Sequence, residues 1–192
     1  MKTGCLVLGL VLVLGCASKA RSEPIAIPLP KPPRPVAELV AQLTAQDAPS
    51  RASAAWDLAR AGEVDSGGIQ ALVTALDDPS EPVREGAIWA LAHIEGGALR
   101  VRQLMDSPPK ALVLTKPQYP DYAYQNKIEG TVVVVILINS LGRVAHTEIL
   151  QSVPHLDEAA LACVRDWRFE PAQRGGKPVA SVAHAPVMFR IY

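Results

Sequence analysis

Few side chains in this 192-residue sequence are spaced for chemistry. The four histidines are His93, His146, His155 and His184. None stands in an HExxH pair or in the paired Cys/His spacing of a zinc site, so no metal centre is expected. Arg174-Gly175-Gly176-Lys177-Pro178 has the glycines and lysine of a phosphate loop but not the GxxxxGK[ST] spacing, and a proline follows the lysine. No GxSxG nucleophile turn occurs. Asp77-Asp78 pairs two acids beside a proline turn, where acids ordinarily cap or face water. Cys5 and Cys16 lie near the start, and Cys163 stands alone on an apolar helical face, as small core residues do. The sequence therefore points to a non-enzymatic protein with no catalytic residue, no cofactor and no metal. Its function must come from surfaces, and from the elements that hold them.

Nineteen basic residues balance nineteen acidic ones, which argues against a nucleic-acid binder that relies on a positive field. The balance hides a division. Residues 17–35 carry four bases and one acid, 36–106 five bases and eleven acids, and 107–192 nine bases and seven acids. The chain reads as modular.

A lysine and then the Leu/Val/Gly run from Leu6 to Leu14 have the pattern of an export signal, too short for a bilayer-spanning helix of about 20 residues. Val13-Leu14-Gly15-Cys16 resembles a bacterial lipobox. The resemblance implies cleavage after residue 15 and acylation of Cys16; an uncleaved anchor is the alternative. Residues 16–35 then form a lipidated start and spacer. Within it, 24–35 hold six prolines in twelve positions, a semi-stiff chain reaching about 37 Å at about 3.1 Å per residue.

Residues 36–106 hold a repeat offset by 33. Leu39 matches Leu72, Leu43 matches Leu76, Arg51 matches Arg84, Ala54 matches Ala87 and Trp56 matches Trp89. Each unit carries two apolar stretches at helical spacing around a proline-containing turn, a pattern that must stack to bury its faces. Asp78-Pro79, Val83-Arg84, Ala87 and Ala90-Leu91 resemble a short bacterial HEAT-like repeat, which implies a protein-interaction surface. The first unit is a degraded copy, with Ala45 where Asp78 would match. Either Leu99 to Met105 add a further helix, or the C-terminal domain covers the open end of the pair.

Ser107-Pro108-Pro109 mark a boundary, and residues 107–192 form a second domain. Thr131 to Ile138 is a β-branched run, predicted to be a strand. Asn139 to Gly142 supply a turn, and Val144 to Leu150 a second strand paired antiparallel to the first. Leu156, Ala159, Ala160, Cys163, Val164 and Trp167 share one face of a helix over 156–167. Gly175-Gly176 break the chain before a last extended run from Val179 to Ile191. The expected class is α+β: a helical HEAT-like pair, then a small antiparallel three-stranded sheet with two helices.

In this domain Tyr119-Pro120, Glu129-Gly130-Thr131-Val132, Gly142-Arg143-Val144, Leu156-Asp157, Ala159-Ala160-Leu161, Trp167-Arg168-Phe169, Pro171-Ala172, Gly176-Lys177-Pro178-Val179 and Val187-Met188-Phe189 come one after another in fixed order. The ordered set resembles the C-terminal domain of the TonB family of energy transducers. The resemblance implies recognition by strand addition: the periplasmic segment of an outer-membrane transporter, or another envelope protein, pairs with an exposed sheet edge. It places the partner-binding residues at Gln118 and Tyr119 and on the last strand, at Ser181, Val182, Ala183, His184, Val187 and Phe189. The lipobox-like start departs from the family's inner-membrane helix. Ala17 follows Cys16 where, in such lipoproteins, Asp would be the common inner-membrane retention signal, so the lipobox resemblance implies a lipid-anchored protein of the outer membrane, facing the periplasm. A HEAT-repeat scaffold or adaptor lipoprotein without energy transduction is the alternative, and a lyase-type enzyme the weakest reading.

Overall fold

The structure is a computed structural model that describes residues 34–94 and 101–191. The leader, Cys16 and the spacer up to residue 33 lie outside the described residues.

The two repeat units give four helices: α1 (Val36–Gln42), α2 (Ala48–Ala59), α3 (Ser66–Ala75) and α4 (Glu81–His93). Their starts are set by short polar side chains and proline. The Asp47 carboxylate accepts from the Ser50 N–H at 2.8 Å, and that of Asp65 from the Gly68 N–H at 2.7 Å. α2 and α4 each carry a proline in the first turn, where no N–H is needed. Leu39, Leu58, Leu72, Val83, Ala87 and Leu91 are fully buried. α2 packs chiefly against α4, and Gly86 is why they can approach. A Cβ there would lie 2.9 Å from the Ala55 Cβ and 3.0 Å from the Trp56 ring. A glycine inside a helix costs about 1 kcal/mol, offset here by that close packing.

The repeat is also tied by polar bonds. The Arg51 guanidinium donates to the Ala45 and Gln46 carbonyls, each at 2.9 Å, and Arg84 donates to their repeat equivalents, the Asp78 and Pro79 carbonyls, at 2.7 and 2.9 Å. Arg51 also grips the Asp78 carboxylate in the next unit with two bonds of 2.7 and 3.0 Å.

Beyond residue 109 the order is β1 (Lys110–Val113), α5 (Asp121–Gln125), β2 (Gly130–Ile138), β3 (Val144–Gln151), α6 (Asp157–Arg165), β4 (Arg168–Glu170), β5 (Ala172–Arg174), β6 (Lys177–Val179) and β7 (Ser181–Phe189). The architecture is α+β, with the expected three-stranded sheet in the order β3-β2-β7. β2 and β3 are antiparallel, with Val135 opposite Glu148 and Leu137 opposite His146. Gly142 turns the hairpin at φ 74°, and the Asn139 side-chain oxygen accepts from the Leu141 and Arg143 N–H groups. One core joins Val132, Val134 and Ile136 of β2, Ala160 and Val164 of α6, Trp167, and Val187 and Phe189 of β7.

Three details differ from expectation. α6 ends at Arg165, two residues early, so Trp167 lies just beyond the helix rather than on it. The final extended run is divided: Gly175 and Gly176 take φ 58° and 72°, and Lys177–Val179 folds back on Ala172–Arg174 before β7 begins. Short strands β1 and β4 pair with one another; at four and three residues they leave no readable period.

Chain contacts divide the described residues into two compact units. One holds the described part of Pro28–Pro109 with Pro171–Val182; the other holds Lys110–Glu170 with the described part of Ala183–Tyr192. The β5–β6 hairpin thus belongs with the helices.

Candidate functional site

β2 is the central strand, so β3 and β7 are the two edges of this sheet. An edge strand carries a row of backbone donors and acceptors on its outer side. β7 is the edge rooted more firmly in the core: Ala185, Val187 and Phe189 are fully buried, while no residue of β3 is. Pro186 sets how β7 faces. A proline has no N–H and cannot fill a ladder position, so it must turn away from β2. Backbone direction alternates along a strand together with the side chains. The odd-numbered residues from Ala183 to Phe189 therefore address β2, and Val182 shares the outward direction of Pro186.

Of the residues expected to bind a partner, Val182 and Ala183 are half-buried and His184 is exposed. Val187 and Phe189 are core residues whose backbone, by the same alternation, addresses β2 rather than the outer edge. Ser181 is 4% exposed, and its hydroxyl has no hydrogen-bond partner among the described residues.

Gln118 and Tyr119 lie on the loop before α5, and the loop is well held. The Thr115 hydroxyl donates to the Cys163 carbonyl at 3.1 Å. In return the Thr115 carbonyl accepts from the Cys163 thiol at 3.0 Å and from the Trp167 indole N–H at 3.2 Å. Pro117 is buried and Gln118 exposed. The Tyr119 hydroxyl donates to the Ile128 carbonyl at 2.5 Å. Its ring meets Phe189 edge-on, with centroids 5.5 Å apart at 89°. The fold thus brings Tyr119 to the end of β7, joining two of the expected groups. Sequence reasoning missed the Thr115 anchor, whose partners stand 48 and 52 residues away and leave no local signal.

The helical pair offers a second surface. Trp89 is buried and Trp56 half-buried, with ring centroids 6.0 Å apart. The imidazole Nδ1 of His93 lies 2.8 Å from the Trp89 carbonyl. Burial, then the neighbouring Glu81, pushes the Glu85 carboxyl above its ordinary range. The hydrogen bond from Arg51 holds Asp78 below it. His155 stacks on Tyr122, His146 lies on β3 and His184 on β7. Among the described residues no group of three His, Cys, Asp or Glu could hold a metal ion.

Comparison with known proteins bears on the same segment. Residues 115–191 match the family described as the Gram-negative bacterial TonB protein C-terminal. The chain carries a TonB-like C-terminal domain. Residues 36–113 match HEAT repeats. Among curated relatives, Protein TonB of Pseudomonas aeruginosa is 38% identical over 109 residues, covering 55% of this chain and 32% of that protein. Protein TonB of Vibrio cholerae is 33% identical over 90 residues, covering 46% of this chain and 37% of its own length. The matches thus span about a third of these relatives. The solution NMR structure of the Pseudomonas aeruginosa TonB CTD is 40% identical, covers 45% of this chain and 89% of its own, and has a TM-score of 0.38. The candidate edge β7 and the Tyr119 loop both lie inside the TonB-like segment. Among the described residues no helix is long and apolar enough to cross a membrane.

Proposed function

We propose that this chain is a membrane-tethered, non-enzymatic periplasmic binding protein that takes an extended peptide segment by strand addition along the outer edge of β7. The partner is an outer-membrane TonB-dependent transporter or another envelope protein, and the setting is TonB-dependent transport across the outer membrane. The observation that carries the reading is an edge strand rooted in the core by Ala185, Val187 and Phe189, with the loop residue Tyr119 packed on its end. An added strand gains affinity from main-chain bonds and specificity from side chains that project beside the edge. Pro186 offers it an acceptor but no donor, so pairing depends most on the stretch before it. Gln118, exposed on the Tyr119 loop, is the polar contact at the other end.

The tether is Cys16, acylated at the mature start and holding the domain to the outer membrane through the proline-rich spacer. Cys16→Ser is expected to abolish acyl labelling and maturation; unchanged size and labelling would favour an uncleaved helix.

The binding reading is tested with the full chain and a synthetic peptide carrying the periplasmic segment of an outer-membrane transporter from the same cell. Val182→Pro removes an outward donor and leaves the β2 ladder intact. It should keep the parent circular dichroism spectrum and weaken binding roughly tenfold or more, as loss of one or two main-chain bonds implies. Thr147→Ala, on the opposite edge, should bind as the parent does. If folded Val182→Pro binds with parental affinity while Trp56→Ala loses binding, the helical scaffold replaces the sheet edge as the binding surface.

A further inference from the structure

We propose that the β5–β6 hairpin is the terminal cap of the helical stack, standing where a third repeat would stand. The first unit meets the second through Arg51, which grips Asp78, and Ala55, which abuts Gly86. Moved on by 33 residues, the same positions are Arg84 and Ile88. In a longer array they would meet a third unit, with an acid at residue 111. That residue is Ala111, in β1; residues 101–103 are helical where α3 would recur, but no second helix follows them before β1 and the pattern stops there.

The hairpin comes to this end instead. Leu76, Arg84 and Ile88 line a cavity of about 10 Å³ with Met105, Val179 and Ala180. That is room for no more than one water, so the two surfaces are closely fitted. The main chain is joined as well. The Gln173 carbonyl accepts from the Asp106 N–H at 2.8 Å, and the Gln173 N–H donates to the Ser107 carbonyl at 3.1 Å. At the hairpin tip the Gly176 N–H donates to the Asp106 carboxylate at 3.2 Å. Arg174 pairs with Asp77 at 3.0 Å, so a basic residue of the hairpin meets the acid beside Asp78 at the repeat turn.

Two repeats are fewer than an independent stack usually needs, and exposed terminal faces need a cap with a polar outer side. The hairpin meets both needs: Val179 and Ala180 face inward, while Gln173, Gly175, Gly176 and Lys177 are exposed or half-exposed. The cap closes the end at which another repeat or a partner helix would stack. It stands whether or not β7 binds a peptide.

Hydrogen exchange on the full chain tests it. Val179→Asp places a carboxylate against Leu76 and Ile88. Protection of α3 and α4 should fall roughly tenfold or more while β2 keeps its protection, because local stability in a small stack depends on its cap. Val179→Ala is the second variant, mild enough to leave the hairpin formed; it should raise α3 and α4 exchange several-fold and spare β2. Unchanged α3 and α4 exchange in both variants would overturn the proposal, as would a Val179→Ala variant in which β2 loosens and the helices do not.

Discussion

The helical pair and the three-stranded sheet reach stability by opposite routes. The helices approach closely through small residues, Ala54, Ala55, Gly86 and Ala87, beside buried Leu39, Leu58, Leu72 and Leu91, and polar clamps such as Arg51–Asp78 tie one unit to the next. The sheet buries Val, Ile, Phe and Trp around one centre, with Cys163 and Trp167 donating from that core to the Thr115 carbonyl. The difference teaches where each region is fragile. Polar substitutions and acid should strike the helices; cavity-forming substitutions should strike the sheet.

The largest effect is expected at Trp167, 2% exposed with its indole N–H on the Thr115 carbonyl. Trp167→Ala should cost about 3–5 kcal/mol and release the loop carrying Gln118 and Tyr119. Melting monitored at β2 amides checks this; native-like melting would break the assignment of this core.

Arg51→Ala comes next. It takes two bonds from the Asp78 carboxylate, which keeps the Ser80 N–H, and removes the donor to the Ala45 and Gln46 carbonyls, so the helical unit should melt at a lower temperature. The pH dependence has a definite sign. Asp78 titrates below its unfolded value, chiefly through the bond from Arg51. Its stabilisation is complete above the unfolded value near 4, and is lost as pH falls through the lower folded value. Helical stability in the parent should therefore drop below about pH 4 more steeply than in Arg51→Ala. Parallel acid melts of the two would contradict this.

The smallest effect is a gain. Glu85 is half-buried and its carboxyl titrates above the ordinary range, first through burial and then through Glu81. Ionised Glu85 thus opposes folding at neutral pH, and the opposition disappears as pH falls through its raised folded value. Glu85→Gln should raise the helical melting temperature slightly at pH 7, with the gain fading in mild acid. A loss at pH 7 would show that Glu85 has a stabilising partner.

Much of this contrast was legible in the residues. The 33-residue offset exposed the helical pair, because each repeat must present the same face to its neighbour. The β-branched run and the Asn139–Gly142 turn exposed the central hairpin. The split after Gly176 was harder: Val179 and Val182 read as one strand, and only the positive φ of both glycines folds the first of them back. Pairings such as Thr115 with Cys163, or Arg174 with Asp77, join residues far apart in sequence and leave no local pattern. At the candidate edge, the strand itself was legible within the extended run from Val179 to Ile191. Which of its residues face outward was not, until Pro186 could be placed against β2.

Strand addition along β7 makes a prediction about its amides. Hydrogen exchange of the full chain, with and without the transporter peptide, tests it most directly, because main-chain pairing protects the amides it uses. The expected result is slowed exchange within residues 181–189 on peptide addition, with residues 144–151 of the opposite edge and residues 81–93 of α4 unchanged. Slowed exchange in 144–151 or 81–93, with 181–189 unaffected, would contradict strand addition at β7.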